Sequence, residues 1–229
     1  MFLLDNIGII VIISIGWLIT GLIISCINSP HTKIFKMRHC ITNSMFEECA
    51  SYSFKQMNRK KHIHYKGFIT AYYLYSVSFC KNIERNLETV IEEAVFENLE
   101  KSDISLLFGA AMMLCLRKHK SGANALLKKI LIVSNLKQHA TEALDVLINI
   151  FDILLNNDES EQLHLLNEIM ISNADSEALS NFTKSVIYYR MYEISGELNY
   201  KEKCLEYAWS DYVKNMYMNF ENWQNPKGD

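Results

Sequence analysis

Residues 7–27 read "IGIIVIISIGWLITGLIISCI", 21 residues without a charge. An α-helix rises about 1.5 Å per residue, so the run reaches roughly 31 Å, matching a hydrocarbon core about 30 Å thick. A helix packed on a soluble core normally keeps a polar face. Here Ser14, Thr20, Ser25 and Cys26 are the most polar residues. The sequence therefore predicts a transmembrane anchor over 7–27, preceded by a short tail over 1–6. Gly16 with Thr20 and Gly21 with Ser25 are small-residue pairs one turn apart. Such pairs let membrane helices approach closely, so the anchor is expected to pack against a partner helix or a second copy.

The net charge is only −3, which disfavours nucleic acid as a partner. Its distribution is uneven. Residues 31–66 hold eight Lys/Arg against Glu47 and Glu48, whereas residues 67–229 hold fifteen Lys/Arg against twenty-three Asp/Glu. Positive residues beside a membrane helix stay cytoplasmic, and Lys33, Lys36 and Arg38 follow the run closely. The expected topology is a single pass with the amino terminus outside and the following domain in the cytoplasm. Cys26, Cys40, Cys49, Cys80, Cys115 and Cys204 show no paired spacing, as befits reduced thiols.

Two further signal types compete with an anchor. A cleaved secretory signal calls for a basic start, and "MFLLDN" supplies an acid instead. The sequence "IISC" at 23–26 resembles a relaxed lipobox of bacterial lipoproteins. That resemblance implies lipidation at Cys26 and display on the far side of the membrane. Ile23 replaces the preferred leucine, and the basic start is again missing.

Beyond Pro30 the chain reads as helices throughout, with no alternating strand pattern and no proline before Pro226. The expected fold is all-α: a basic juxtamembrane segment over 28–66 with one helix, a cytosolic helical domain over 67–220 and a tail over 221–229. Helices are predicted near 43–58, 68–80, 84–100, 103–118, 122–134, 139–156, 159–172, 176–195 and 200–220. Ser102-Asp103 and Asp175 offer cap oxygens for two of these, and Gly196 suits a left-handed exit. The stretches 67–80 and 104–116 carry no charge but are too short to span a bilayer, so they are expected as core helices. Ala143, Leu144, Leu147, Ile148, Phe151 and Leu154, widened by Val146, Ile150 and Leu155, suggest that 139–156 is a central helix.

Short loops imply antiparallel neighbours, hence a helical-hairpin array or an irregular bundle. Residues 188–212, "YYRMYEISGELNYKEKCLEYAWSDY", resemble a degenerate tetratricopeptide-type unit. Tyr200 and Tyr207 match the aromatic positions of its second helix, and "GELNY" its turn. Lys203 stands where that family has a small alanine, and no second copy is visible at a 34-residue period. The resemblance implies a TPR-like solenoid that binds protein.

No residue constellation points to catalysis, a cofactor or a metal. His62 and His64 have strand spacing without further ligands, and His139 and His164 look like surface residues. Neither a phosphate-binding glycine loop nor a nucleophile elbow occurs. Lys55, Arg59, Lys60, Lys61 and Lys66 make 55–66 the densest basic run, suited to anionic lipid beside an anchor. Eleven of the twenty-six aromatics fall within 182–223. Leu205, Ala208, Trp209, Tyr212 and Met216 form an inward face at helical spacing. Tyr200, Tyr207, Tyr217, Met218 and Trp223 lie off it and are the candidate docking surface for a protein partner. The expected function is that of a non-enzymatic adaptor or accessory subunit of a membrane assembly.

Overall fold

The computed structural model describes residues 17, 19–21, 29–57, 59, 65–81, 87–96, 99, 101–136, 142–173 and 179–221. Every regular element among them is helical: α1 (Pro30–Thr42), α2 (Phe46–Met57), α3 (Lys66–Ser78), α4 (Leu87–Glu93), α5 (Lys101–Leu116), α6 (Lys120–Leu136), α7 (Glu142–Asn156), α8 (Glu159–Ser172), α9 (Asn181–Ser195), α10 (Leu198–Tyr207) and α11 (Asp211–Met218). The all-α fold class holds. No helix among the described residues is long and apolar enough to cross a membrane. The run 7–27 lies outside the described residues except for Trp17, Ile19, Thr20 and Gly21, which are helical and exposed.

The two short uncharged stretches become the centre. All of 69–78 in α3 and all of 107–114 in α5 are buried, and the two helices pack on each other. Gly109 makes this approach possible, because a Cβ there would stand 2.7 Å from the Tyr75 ring and 3.2 Å from the Phe182 ring. Around this pair, α2 covers α3 and α1 covers both α2 and α3; α6 lies on α5, with α4 against it. The helices α8, α9 and α10 pack in sequence, and α9 also reaches α5.

The start of α11 returns to the start of α2. Ser44 Oγ and Ser210 Oγ are 2.7 Å apart, and the Phe46 and Tyr212 rings meet at 5.2 Å. An open solenoid lacks such closure, since each unit touches only its neighbours. The described helices are thus joined by contacts across about 165 residues of sequence.

The carbonyl end of α3 is the best-secured helix terminus. Arg117, buried at the exit of α5, donates to the carbonyls of Ser78 (3.1 Å), Cys80 (2.5 Å) and Lys81 (2.7 Å). Burial lowers its guanidinium from the usual 12.5 to about 10, so it stays charged at neutral pH. Tyr212 Oη lies 3.0 Å from both the Phe79 carbonyl oxygen and Glu47 Oε1, sharing one proton between two acceptors.

Several sequence expectations need correction. Helix α1 was not foreseen, since its buried side is only Lys33, Met37 and Cys40, a narrow and partly polar stripe. Of the helix expected over 84–100, residues 87–93 form α4 and 94–96 are not helical, where Lys129 of α6 donates to the carbonyls of Glu92 and Ala94; 84–86, 97–98 and 100 lie outside the described residues. The helix expected over 200–220 is broken at 208–210, where Ser210 accepts from the Val213 N–H and starts α11 afresh. Asp103 is buried within the first turn of α5 rather than capping it. Ser180 caps α9, and the expected cap Asp175 lies outside the described residues. Helix α7 is peripheral: Ile150, Phe151, Ile153 and Leu154 are buried, while Asp145, Asn149, Asp152 and Asn156 face solvent. The left-handed exit at Gly196 is present, with φ 74°.

Replacing the clamp tests its weight. Arg117→Met should destabilise the domain by about 2–4 kcal/mol, since it strips buried carbonyls of a charged donor. Lys128→Ala on the exposed side of α6 should stay within about 0.5 kcal/mol. Denaturant unfolding of both variants measures the difference.

Candidate interaction surfaces

The bundle has a basic end. Antiparallel α1, α2 and α3 bring the start of α1, the end of α2 and the start of α3 together, and the His31 and Tyr65 rings meet edge-on at 5.9 Å. Lys55, Arg59 and Lys66 are exposed here. Lys60 and Lys61 of the same run lie outside the described residues, as do His62 and His64. Lys36 adds to this side of α1, 4.6 Å over the Tyr52 ring and 3.5 Å from Glu48. Of the expected membrane-helix packing residues, Thr20 and Gly21 are exposed, and a Cβ added at Gly21 would meet nothing within 4 Å. Gly16 and Ser25 lie outside the described residues, as does Cys26.

The carboxyl-terminal aromatics separate into two groups. Tyr200 and Tyr207, both half-buried, stack on Tyr188 of α9 at 6.4 Å and 5.8 Å. Lys203 Nζ covers the Tyr188 ring at 5.2 Å and Lys184 Nζ the Tyr207 ring at 5.5 Å. Lys203, the departure from the repeat-like pattern, thus seals the stack with a cation. Tyr217 belongs to the core, contrary to its expected place on the docking surface. It is 2 % exposed, stacks on Tyr189 at 5.0 Å and lies 3.1 Å from Ser185 Oγ. The break at 208–210 resets the helical phase, turning Tyr217 inward and leaving Trp209, expected inside, 38 % exposed. Met218 is exposed as expected. Trp223 lies outside the described residues.

A polar cleft that sequence reasoning missed opens between the end of α5, the α7–α8 turn and α9. Its centre is Arg190, which donates to Gln162 Oε1 (2.9 Å), Glu193 Oε2 (2.5 Å) and Glu159 Oε1 (3.2 Å). Gln162 is itself buried and donates to the Asn157 carbonyl at 2.8 Å. The only sequence signal was the Arg190–Glu193 pair at helical spacing; the other partners lie 28 and 31 residues away. The guanidinium is neutralised by its own surroundings, leaving little charge for an anionic substrate. Beside it, burial pushes the Cys115 thiol up to about 12, so it is not a nucleophile at neutral pH. Burial likewise raises Cys49 to about 11 and moves Cys40 and Cys204 upward. The cleft's chemistry is that of a structural ion cluster.

Among the described residues, no group of three or more His, Cys, Asp or Glu side chains could hold a metal ion. His164 is exposed on α8, 3.5 Å from Glu168 one turn on. His139 lies outside the described residues.

The two aromatic groups should respond differently to truncation. Tyr217→Ala should cost about 3–5 kcal/mol of stability, as for other buried aromatics. Met218→Ala, one residue on, should stay within about 0.5 kcal/mol. Paired thermal melts check the assignment. Comparison of the chain with protein-family models, with curated proteins and with solved structures gives no match.

Proposed function

We propose that the chain is a membrane-anchored, non-enzymatic interaction protein that holds a protein partner at the membrane as an adaptor or accessory subunit. The observation that carries this reading is the uncharged run 7–27, followed within a few residues by Lys33, Lys36 and Arg38. The basic end of the bundle supports it, since α1 begins three residues after the run. Lys55, Arg59 and Lys66 then belong to the side turned toward anionic headgroups. Each such cation contributes about 1 kcal/mol near a charged bilayer surface.

Partner binding is assigned to the carboxyl-terminal helices. Leu198, Trp209 and Met218 are exposed there, and the Tyr188–Tyr200–Tyr207 stack lies among them. Large aromatics and Met at a surface are the side chains enriched at protein interfaces. The resemblance of 188–212 to a protein-binding repeat unit points the same way, carried by the α9–α10 hairpin.

Alkaline carbonate washing of membranes tests the anchor: the intact chain should stay in the pellet, and release into the supernatant would sink it. Intact mass then decides between an anchor and lipidation, because a lipid on Cys26 adds its mass and removes the residues before it. Protease added outside sealed cells should spare the helical domain if it is cytoplasmic. For docking, Trp209→Ala and Tyr207→Ala should each reduce recovery of crosslinked partner. A hot-spot aromatic costs about 2 kcal/mol or more, a loss of roughly thirty-fold in affinity. Recovery equal to the parent would reject this surface.

A further inference from the structure

The exposed face of α1 belongs to neither the polar cleft nor the docking helices. Its residues His31, Phe35 and Arg38 recur at one-turn spacing, opposite the buried Lys33, Met37 and Cys40, with the half-buried Ile34 at the border. Phe35 is 72 % exposed, among the most solvent-accessible large apolar side chains described. Between this face and the start of α3 lies an open recess of about 520 Å³, whose walls include Phe35, Tyr65 and Phe68 on the apolar side and His31 and Arg38 on the polar side. The Arg38 Nε donates to Tyr72 Oη at 2.9 Å, which fixes the guanidinium at the recess wall. Apolar and aromatic walls with a fixed guanidinium suit a molecule that joins a phosphate to a greasy body.

The position of the recess identifies that molecule. Three Cα steps separate residue 27 from Pro30, a reach of at most about 11 Å. The headgroup layer extends about 5–8 Å beyond each side of the hydrocarbon core. If 7–27 spans the bilayer, the start of α1 is therefore held within the headgroups or a few ångströms beyond them. An exposed Phe flanked by cations suits that layer, where the ring meets acyl chains while the charged tips stay at the headgroups.

We infer that α1 is a membrane-surface helix, with Phe35 inserted among the lipids and the recess beside Arg38 holding the phosphate of an anionic phospholipid. The inference rests on the anchored reading for its geometry. The lipid phosphate accepts hydrogen bonds and charge from Arg38, while the lipid's glycerol region packs on Phe35 and Phe68. Lys36 and Lys66, both exposed nearby, strengthen the attraction. Glu48, paired with Lys36, and Asp103, whose carboxylate acts on the same Tyr72 hydroxyl that Arg38 meets, are acids that oppose it.

The test uses the full chain carrying Phe35→p-benzoylphenylalanine, reconstituted into phosphatidylcholine vesicles with or without phosphatidylserine. Irradiation should give a phospholipid adduct at position 35, increased by phosphatidylserine. The same photoreactive residue at Ile171, equally exposed but on α8, should give none. In the position-35 background, Arg38→Gln should lower the adduct about five-fold in anionic vesicles, the effect of one surface cation. Arg38→Lys should restore most of it, whereas a purely structural role for Arg38 would leave both variants equally low and overturn the phosphate assignment. Inorganic phosphate in the buffer should not compete; if it abolishes the adduct, the recess is a site for soluble phosphate and the inference fails. An adduct to protein instead of lipid, or equal labelling at 171, also overturns it. Carbonate washing of the same vesicles reports the anchor separately. A retained chain with no lipid adduct defeats the surface helix alone, and a released chain defeats the anchor while the adduct still decides the face.

Discussion

The carbonyl end of α3 is where the fold is tied together. A buried helix leaves its last carbonyls without partners of its own, and burying them unsatisfied is costly. Here the partners come from elements far apart in sequence. Arg117 arrives from the end of α5, and Tyr212 from the start of α11. Phe79, just beyond α3, is ringed by Phe46, Tyr75, Phe182 and Trp209 with centroids 4.6–5.8 Å away. Satisfying one helix terminus thus fixes α2, α5, α9 and α11 relative to α3. The closure between Ser44 and Ser210 follows from the same knot.

The crossing of α3 and α5 depends on that knot and on Gly109. Both helices are apolar nearly all round, so the hydrophobic effect drives them together without choosing an angle. The choice comes from shape: Gly109 accepts the Tyr75 ring, and Phe182 of α9 closes the same gap. Arg117 stands two turns beyond Gly109 and locks the end of the crossing. A nonspecific attraction becomes a single geometry through one small residue and one buried cation.

This division explains what could be read from the sequence. Uncharged runs of thirteen and fourteen residues between polar flanks were legible as core helices, though 139–156 was expected as the central one, and Gly196 was legible as the exit of α9, because burial and left-handed backbone leave direct marks on composition. Helix α1 left no such mark, its buried side including Lys33. The phase reset at 208–210 was invisible too, because nothing in "AWS" forbids a helix. The break is made by Ser210 turning to cap α11 and by the pull of Tyr212 toward Phe79. The misplacement of Tyr217 and Trp209 follows from that one local event. The Arg190 cluster depended on residues about thirty positions apart, beyond the reach of spacing arguments.

The two ends of α3 give the bundle a polarity that bears on its use. Lys66 and Tyr65 stand at one end, beside the start of α1; Phe79 and the exposed Trp209 stand at the other. Thirteen helical residues separate them, a length of about 20 Å. Trp209 therefore lies about 20 Å along α3 from the basic end, away from the recess beside Arg38. A partner could occupy that end without displacing lipid from α1. Because Arg117 and Tyr212 tie the far end rigidly to α3, the spacing between the two surfaces is set by the core helix and not by a flexible linker. Such a body can hold a partner at a fixed spacing from its lipid-facing side, which a loosely tethered domain cannot do.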